Sequence, residues 1–381
     1  MAKKVREHSG KKIVMVVTSD LATDQRVHRH AELLTSNGYD LTVIGRKKRD
    51  SIAFHPSEYK VIRLSSMIEK GWFFYMSYNL KLFWYLLFHR APVIWSNDLD
   101  TLLPSYLVSQ LRSNVLIYDT HEYYTGVPEL LDRPIIRSFW VSLERWILPK
   151  IKFGLTVSDS VAQRYQKEYG INLTTIRNIP AISAQQNSTA ATNYPLPLTP
   201  FIIYQGVLNK DRGLEELIIA MQWLENYSLV IIGKGDLEQS LKQLVNELNL
   251  SARIVFLGLL KPSELRMVTP KALVGVSIEK PSNPNYIMCL PNKLFDYIQA
   301  GIPVVAYPHP EIKNIIDTYE CGTYIHSHDP QQMALQLKNI IASKSINEWK
   351  EASRKASLVL NWESEKEILM SWFEEALSSK K

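Results

Sequence analysis

The chain has 381 residues, more than one hydrophobic core usually supports, so two domains are expected. A composition of 46% hydrophobic and 22% charged residues excludes disorder, two cysteines (Cys289 and Cys321) exclude a disulfide framework, and the N-terminal MAKKVREHSGKK lacks the apolar stretch of a signal peptide, so a reducing cytoplasm is expected. The net charge of +6 is uneven: Lys and Arg stand at 25 against 17 Asp and Glu in residues 1–180, and at 19 against 21 in the rest.

Short Val- and Ile-rich runs, each followed by a stretch of helical period, fill the first half. KKIVMVV (11–17), DLTVIG (40–45), YKVIRLS (59–65), PVIWSND (92–98), NVLIYD (114–119) and GLTVS (154–158) read as buried parallel strands, with helices near 24–37, 70–90, 101–111, 135–148 and 159–169. AISAQQNSTAATNYPLPLTP (181–200), small, polar and proline-bearing, reads as a linker. The alternation then restarts with FIIYQG (201–206), YSLVIIG (227–233), RIVFLG (253–258), ALVGVSI (272–278), PVVAY (303–307) and GTYI (322–325). This predicts an α/β protein of two doubly wound parallel-sheet domains, 1–180 and 201–360, with ligands at the C-terminal strand ends and the active site in a cleft between them. A last helix near 361–378 follows the second sheet and is read as crossing back to the first domain.

Three stretches of the second half, two strand-to-helix turns and one helix that leads into a strand, have phosphate-site chemistry. In YQGVLNKDRGLEELIIAM (204–221) a strand ends at Gly206 and a helix begins near Gly213, with Lys210 and Arg212 between; they are either diphosphate ligands or solvated loop charges. In VIIGKGDLEQSL (230–241), Gly233 and Gly235 let backbone approach a ligand, although the third glycine of a dinucleotide fingerprint is missing. In PNKLFDYIQAGIPVVAYPHPE (291–311), a helix opening at Pro291 and Asn292 leads into a buried strand.

Together these stretches resemble the donor half of the retaining nucleotide-sugar glycosyltransferases of family 4, whose GT-B fold has two Rossmann-like domains. GVL followed by KDRG, then IIGKG, IVFLG and KLFDYIQAGIPVV, stand here in the family's order at compatible spacing. The resemblance implies that the helix at Asn292 points its N-terminal amides at the donor's diphosphate and sugar. It places Lys293 beside them as a cation and Asp296 where the family has the glutamate that bonds the nucleotide ribose. Two family residues are missing, an arginine where Val207 stands and a glutamate where Met288 stands, so charge at the leaving diphosphate falls to Arg212 with Lys210 or Lys293.

The first domain is expected to hold the acceptor. In TSDLATDQRVHRHAELL (18–34), Val27, Ala31 and Leu34 face the sheet, while Asp24, Arg26 and His28 lie off that stripe as acceptor-side residues or as ordinary surface. His121, after the strand NVLIYD, stands where the family places a histidine near the reacting sugar, though a lone histidine is as readily structural. Asp98 and Asp100 imitate the D-x-D of the other large glycosyltransferase fold, which lacks two Rossmann-like halves, so neither that pair nor any His or Cys cluster predicts a metal cofactor. Cys289 has no activating base beside it in sequence.

The helix KGWFFYMSYNLKLFWYLLFHR (70–90), broken by Asn79 and Lys81, is too polar to span a bilayer. It either covers the first sheet or lies, with RPIIRSFWVSLERWILPKIK (133–152), on an anionic membrane, Trp72, Phe73 and Phe74 being the expected contact residues. No nucleic-acid-binding signature accompanies the basic half. The resemblance implies transfer of a hexosyl unit from a nucleotide diphosphate sugar to a glycan or lipid-linked glycan, with retention, at the inner face of a membrane in bacterial surface or extracellular polysaccharide synthesis. A nucleotide-sugar 2-epimerase of the same fold and an inactive GT-B partner protein are the alternatives.

Overall fold

The computed structural model describes residues 12–181 and 194–378 apart from 23, 50, 52, 53, 55, 67 and 70; residues 1–11 and most of the proposed linker, 182–193, lie outside the described residues. The chain divides into two compact units, Met1–Asn178 with Glu365–Lys381, and Ile179–Ser364.

In the first unit seven strands form one wholly parallel sheet: β1 (Lys12–Asp20), β2 (Asp40–Lys47), β3 (Lys60–Ser65), β4 (Val93–Asn97), β5 (Val115–Thr120), β6 (Phe153–Thr156) and β7 (Thr174–Thr175), in the order β3-β2-β1-β4-β5-β6-β7. The six longer strands lie where the Val- and Ile-rich runs predict them; the two-residue β7 has no such run to mark it. Helix Gln25–Ser36 starts at Asp24, whose carboxylate accepts from the Val27 amide at 3.1 Å, and buries Val27, Ala31 and Leu34 completely. The last helix, Trp362–Ser378, places Phe373 against Tyr39 and Trp95 of this unit, 5.3 and 5.8 Å between ring centres.

The aromatic helix Trp72–Phe88 does cover the sheet. Phe74, Tyr78, Leu82 and Leu86, four apart, form its buried row over Val14, Val16, Ile44 and Ile94, each such side chain contributing about 1.5–3 kcal/mol. A second row with the same spacing, Trp72, Met76, Leu80, Trp84 and Phe88, is exposed. Phe74 therefore belongs to the core, contrary to its expected place among the surface aromatics, because it falls on the row that meets the strands.

The second unit has six parallel strands, β8 (Phe201–Gln205), β9 (Ser228–Ile232), β10 (Ile254–Gly258), β11 (Val274–Ser277), β12 (Val304–Ala306) and β13 (Gly322–Tyr324), in the order β10-β9-β8-β11-β12-β13. Alternate residues enter different cores. Ile202 and Tyr204 join one face with Leu229, Ile231, Val274 and Val276, while Phe201 and Ile203 join the other with Val230, Val304 and Ala306. Burial on both faces is why these strands read as unbroken apolar runs.

Candidate active site

Strands β8 and β11 lie side by side, yet the chain leaves β8 toward β9 on one flank and β11 toward β12 on the other. Such a reversal opens a crevice at the C-terminal strand ends. The two strands pair only at Ile202 with Val274 and Ile203 with Gly275, and then part. Tyr297 fills the gap: its hydroxyl donates to the Val276 carbonyl at 3.1 Å and accepts from the Gln205 amide at 3.0 Å. A Cβ on Gly275 would come within 2.3 Å of the Tyr297 ring, so glycine there admits the ring. Tyr297 thereby pins helix Asn292–Gln299 over the crevice, and Lys293 at its first turn is carried to the strand ends.

Lys293 is 6% exposed, its ammonium 4.0 Å from the centre of the Tyr204 ring and 2.6 Å from Oε1 of Glu279. Gly206, at φ 135°, leaves it room, since a Cβ there would sit 3.4 Å from the lysine Cε. Arg212 approaches the same Oε1 at 3.3 Å and lies over Tyr286 at 4.5 Å. Its loop is tied to the segment after β11, where the Lys280 amide donates to the Asp211 carbonyl at 2.8 Å and the Ser282 hydroxyl to the Asp211 carboxylate at 2.9 Å. Arg212 and Lys293, 81 positions apart in sequence, are thus brought to one oxygen. Lys210 is exposed, and its carbonyl accepts from the Tyr286 hydroxyl at 3.3 Å. Asn292 is exposed at the helix start, and Asp296 stands half-buried one turn on.

Glu279, fully buried immediately after β11, is absent from the sequence expectations. Burial opposes its charge, but Lys293 and then Arg212 outweigh that and hold its carboxyl down at about 2. Ser277, two residues back and on the same side of the strand, donates to Oε2 at 2.8 Å. The spacing Ser277-x-Glu279 at the end of an apolar run was the one available signal. Burial pushes the Cys289 thiol up to about 12, so it stays protonated at neutral pH.

Gly233 and Gly235 make a close approach of a different kind from the one expected. A Cβ on Gly233 would lie 1.8 Å from the Gly206 carbonyl oxygen, and one on Gly235 2.4 Å from that of Leu208, so both accommodate the neighbouring loop's backbone. Val207 is 51% exposed, so an apolar side chain stands in solvent where the resemblance has an arginine.

In the first unit the reversal falls between β1 and β4. Asp98, just past β4, has φ 59° and ψ 167°, a backbone region almost reserved for glycine. Its carboxylate accepts the His121 amide at 2.8 Å and lies 3.3 Å from the His121 Nδ1. Burial disfavours charge on that imidazole, but Asp98 and then Asp119, whose Oδ2 is 3.9 Å from Nε2, outweigh it and raise its pKa. Asp100 accepts from the Thr18 hydroxyl, and burial, then Asp98, pushes its carboxyl up to about 7. The two acids of the D-x-D imitation thus have separate partners, and among the described residues no group of three or more His, Cys, Asp or Glu is placed to hold a metal.

The ordinary-surface alternative for Arg26 and His28 is corrected, since both side chains are buried. Arg26 is 3% exposed and bidentate to buried Asp119 at 2.7 and 3.2 Å, with a further bond to the Ile176 carbonyl at 2.6 Å. His28 bonds the Tyr59 hydroxyl at 2.6 Å against Phe54. The apolar stripe of the helix marks what meets the strands' side chains, whereas Arg26 meets the polar end of β5. Asp24 caps the helix and takes a bond from Ser19 at 2.6 Å.

Residues 197–356 match the family described as glycosyl transferases group 1. A curated relative, an uncharacterised glycosyltransferase of Methanocaldococcus jannaschii, is 28% identical over 151 residues, 39% of this chain and 37% of the relative's length. Among solved structures, sucrose-phosphate synthase of Thermosynechococcus elongatus superposes with a TM-score of 0.80 at 18% identity, covering 97% of this chain and all of that one. HepE of Anabaena, solved with UDP and glucose, gives 0.72 at 15% identity over 97% of this chain and all of its own. WaaG, a glycosyltransferase involved in lipopolysaccharide biosynthesis, gives 0.71 at 14% over 94% of this chain and 98% of its own. The GT-B fold is thus shared across the chain, and the glycosyl transferases group 1 domain is matched over residues 197–356.

Proposed function

We propose that this protein is a retaining glycosyltransferase of family 4. It moves a hexosyl unit from a nucleotide diphosphate sugar to a hydroxyl of a glycan or lipid-linked glycan in bacterial surface or extracellular polysaccharide synthesis. The observation that supports it best is the meeting of Arg212 and Lys293 at the strand ends of the second unit, beneath the start of helix Asn292–Gln299 and inside the matched stretch. As the bond from the anomeric carbon to the diphosphate oxygen breaks, negative charge grows on the departing group, and these cations, with Lys210, stabilise it. The acceptor oxygen bonds the anomeric carbon on the same face, and its proton passes to the leaving phosphate oxygen. Asp296 holds the ribose, and His121, steadied by Asp98, which raises its pKa, belongs to the acceptor side. This chemistry needs no metal cofactor, because side-chain cations neutralise the diphosphate.

The test is a thermal-shift screen across nucleotide sugars, followed by turnover of Arg212→Ala on the donor found. Removing one preorganised charge donor should lower turnover about a hundredfold or more while the fold survives. Near wild-type turnover removes Arg212 from this role, and epimerised sugar formed without acceptor overturns the transferase in favour of the isomerase.

The first unit is proposed to rest on an anionic membrane surface. The exposed row Trp72, Met76, Leu80, Trp84 and Phe88 and the exposed Ile135, Phe139 and Trp146 of helix Pro134–Ile147 are accompanied by exposed Lys81, Arg90, Arg133, Arg145 and Lys150. Among the described residues no helix is long and apolar enough to cross a membrane.

A further inference from the structure

Glu279 is an odd neighbour for a phosphate site. A diphosphate brought to Arg212 and Lys293 meets a carboxylate already bonded to both, 2.6 Å from the lysine and 3.3 Å from the arginine. Nothing lets that carboxylate swing away. Its second oxygen takes the Ser277 hydroxyl at 2.8 Å, its backbone carbonyl is bonded to His309 Nε2 at 2.8 Å, and the side chain is fully buried. The cations are held as firmly, each against an aromatic face, Tyr204 for Lys293 and Tyr286 for Arg212.

The buried Lys293 and the partly exposed Arg212, drawn to one oxygen, would repel each other without an anion, and the lysine would lose hydration with nothing in return. With Glu279 present they keep one geometry when no donor is bound, and the group retains a single net positive charge. The same carboxylate repels the diphosphate that displaces its share of the contacts, a repulsion strengthened by the low dielectric of a buried site. The balance differs along the reaction. A nucleotide sugar gains further contacts through its sugar, whereas the nucleoside diphosphate left behind carries one more negative charge and feels Glu279 more strongly.

We propose that Glu279 is a positioning residue, the built-in counter-ion of the donor cradle, which holds Arg212 and Lys293 in place before the donor arrives and weakens the hold on the diphosphate product so that it leaves. The inference rests on the donor-site reading given above. Its test is inorganic pyrophosphate binding to the full chain, measured by calorimetry at one fixed ionic strength.

Glu279→Gln keeps the shape and removes the charge, so pyrophosphate should bind about tenfold tighter than to wild type. A residue that only supports the fold would give equal or weaker binding, and that result overturns the inference while leaving the donor site intact. No binding to either protein overturns the donor-site reading and the inference with it. If Glu279→Gln does not fold, Lys293→Gln is compared with the double variant Lys293→Gln/Glu279→Gln, in which both partners of the pair are neutral. The double variant should bind pyrophosphate at least fivefold tighter than the single, and equal binding overturns the attenuating role. With an assigned donor, Glu279→Gln should lower kcat under conditions where product release limits turnover and lower the inhibition constant of the nucleoside diphosphate. A change in KM alone contradicts the proposal.

Discussion

Replacing Asp98 by glycine and by alanine is expected to give an inverted stability order. At an ordinary position glycine is less stable than alanine by about 0.5–1 kcal/mol, because the unfolded glycine has more freedom to lose. Asp98 sits at φ 59° and ψ 167°, where a side-chain-bearing residue is strained by about 1–3 kcal/mol and glycine is not. Both substitutions remove the same carboxylate, with its bonds to the His121 amide at 2.8 Å and ring at 3.3 Å, so that loss cancels in the comparison. What remains is strain relief less the entropy term, leaving Asp98→Gly more stable than Asp98→Ala by about 1 kcal/mol at the middle of these ranges, which span about 0 to 2.5 kcal/mol. For a unit of this size each kcal/mol moves the melting temperature by about 2–4 °C, within reach of thermal denaturation.

The same variants test the role of the carboxylate through the His121 titration, followed by nuclear magnetic resonance. The groups facing that ring are Asp98, Asp119, Asp24 and Arg26, and the three acids outweigh burial and the arginine. Without Asp98 the pKa should fall in both variants. Because the folded value lies above the unfolded 6.5, the stabilisation from the charged ring is fully present below that pH and is lost as pH rises through the folded value. Alanine more stable than glycine by the ordinary figure of about 0.5–1 kcal/mol would refute the strain argument, and an unmoved His121 titration would refute the pairing.

Asp119→Asn should cost about 3–5 kcal/mol in urea denaturation, because it leaves the buried Arg26 guanidinium without its bidentate partner; a loss below about 1 kcal/mol would show that the Ile176 carbonyl suffices. Asp296→Ala should weaken donor binding more than it slows the bound reaction, since a ribose contact is made in ground and transition states alike; unchanged affinity by calorimetry would remove Asp296 from the ribose. The chain should sediment with anionic vesicles and less so as salt rises, and replacing the exposed Trp72, Trp84 and Phe88 by serine should weaken this without loss of fold; equal sedimentation with neutral vesicles would defeat the membrane proposal.

Strands and helices were legible because burial on both faces writes itself as apolar runs, and because the helices between them keep a 3.6-residue period. The two cations that meet at Glu279 stood out for a related reason: Arg212 lies just before a glycine at a helix start and Lys293 just after a proline at another, a local pattern. Glu279 and Arg26 did not. A charged residue in a single sequence looks solvated, and only the fold reveals that Glu279 faces Arg212 and Lys293, or that Arg26 faces Asp119, 93 positions away. Phe74 went wrong by one step of helix rotation, since in a helix apolar all round the pattern cannot say which row meets the sheet. The strain at Asp98 left no trace, because a positive φ outside glycine follows from what the carboxylate holds.

The two crevices are built at the same place in two copies of one topology and have opposite chemistry. At β8 and β11 the strand ends carry Arg212 and Lys293 around a single carboxylate, with glycine at position 206 leaving the lysine room. At β1 and β4 they carry Asp98 and Asp100, with Asp119 near the end of β5, around the His121 imidazole and the Thr18 hydroxyl. A cation-rich pocket with one fixed anion suits a phosphate group that must bind and then leave. Its counterpart sets three acids against the Arg26 guanidinium and the His121 ring, which disfavours phosphate and suits hydroxyl donors, as a sugar acceptor presents. Under the proposed reading the same fold therefore serves donor and acceptor by exchanging the sign of charge at its switch points. Arg26 keeps the acidic end folded by neutralising Asp119 from within, as Glu279 does for the cations of the second unit.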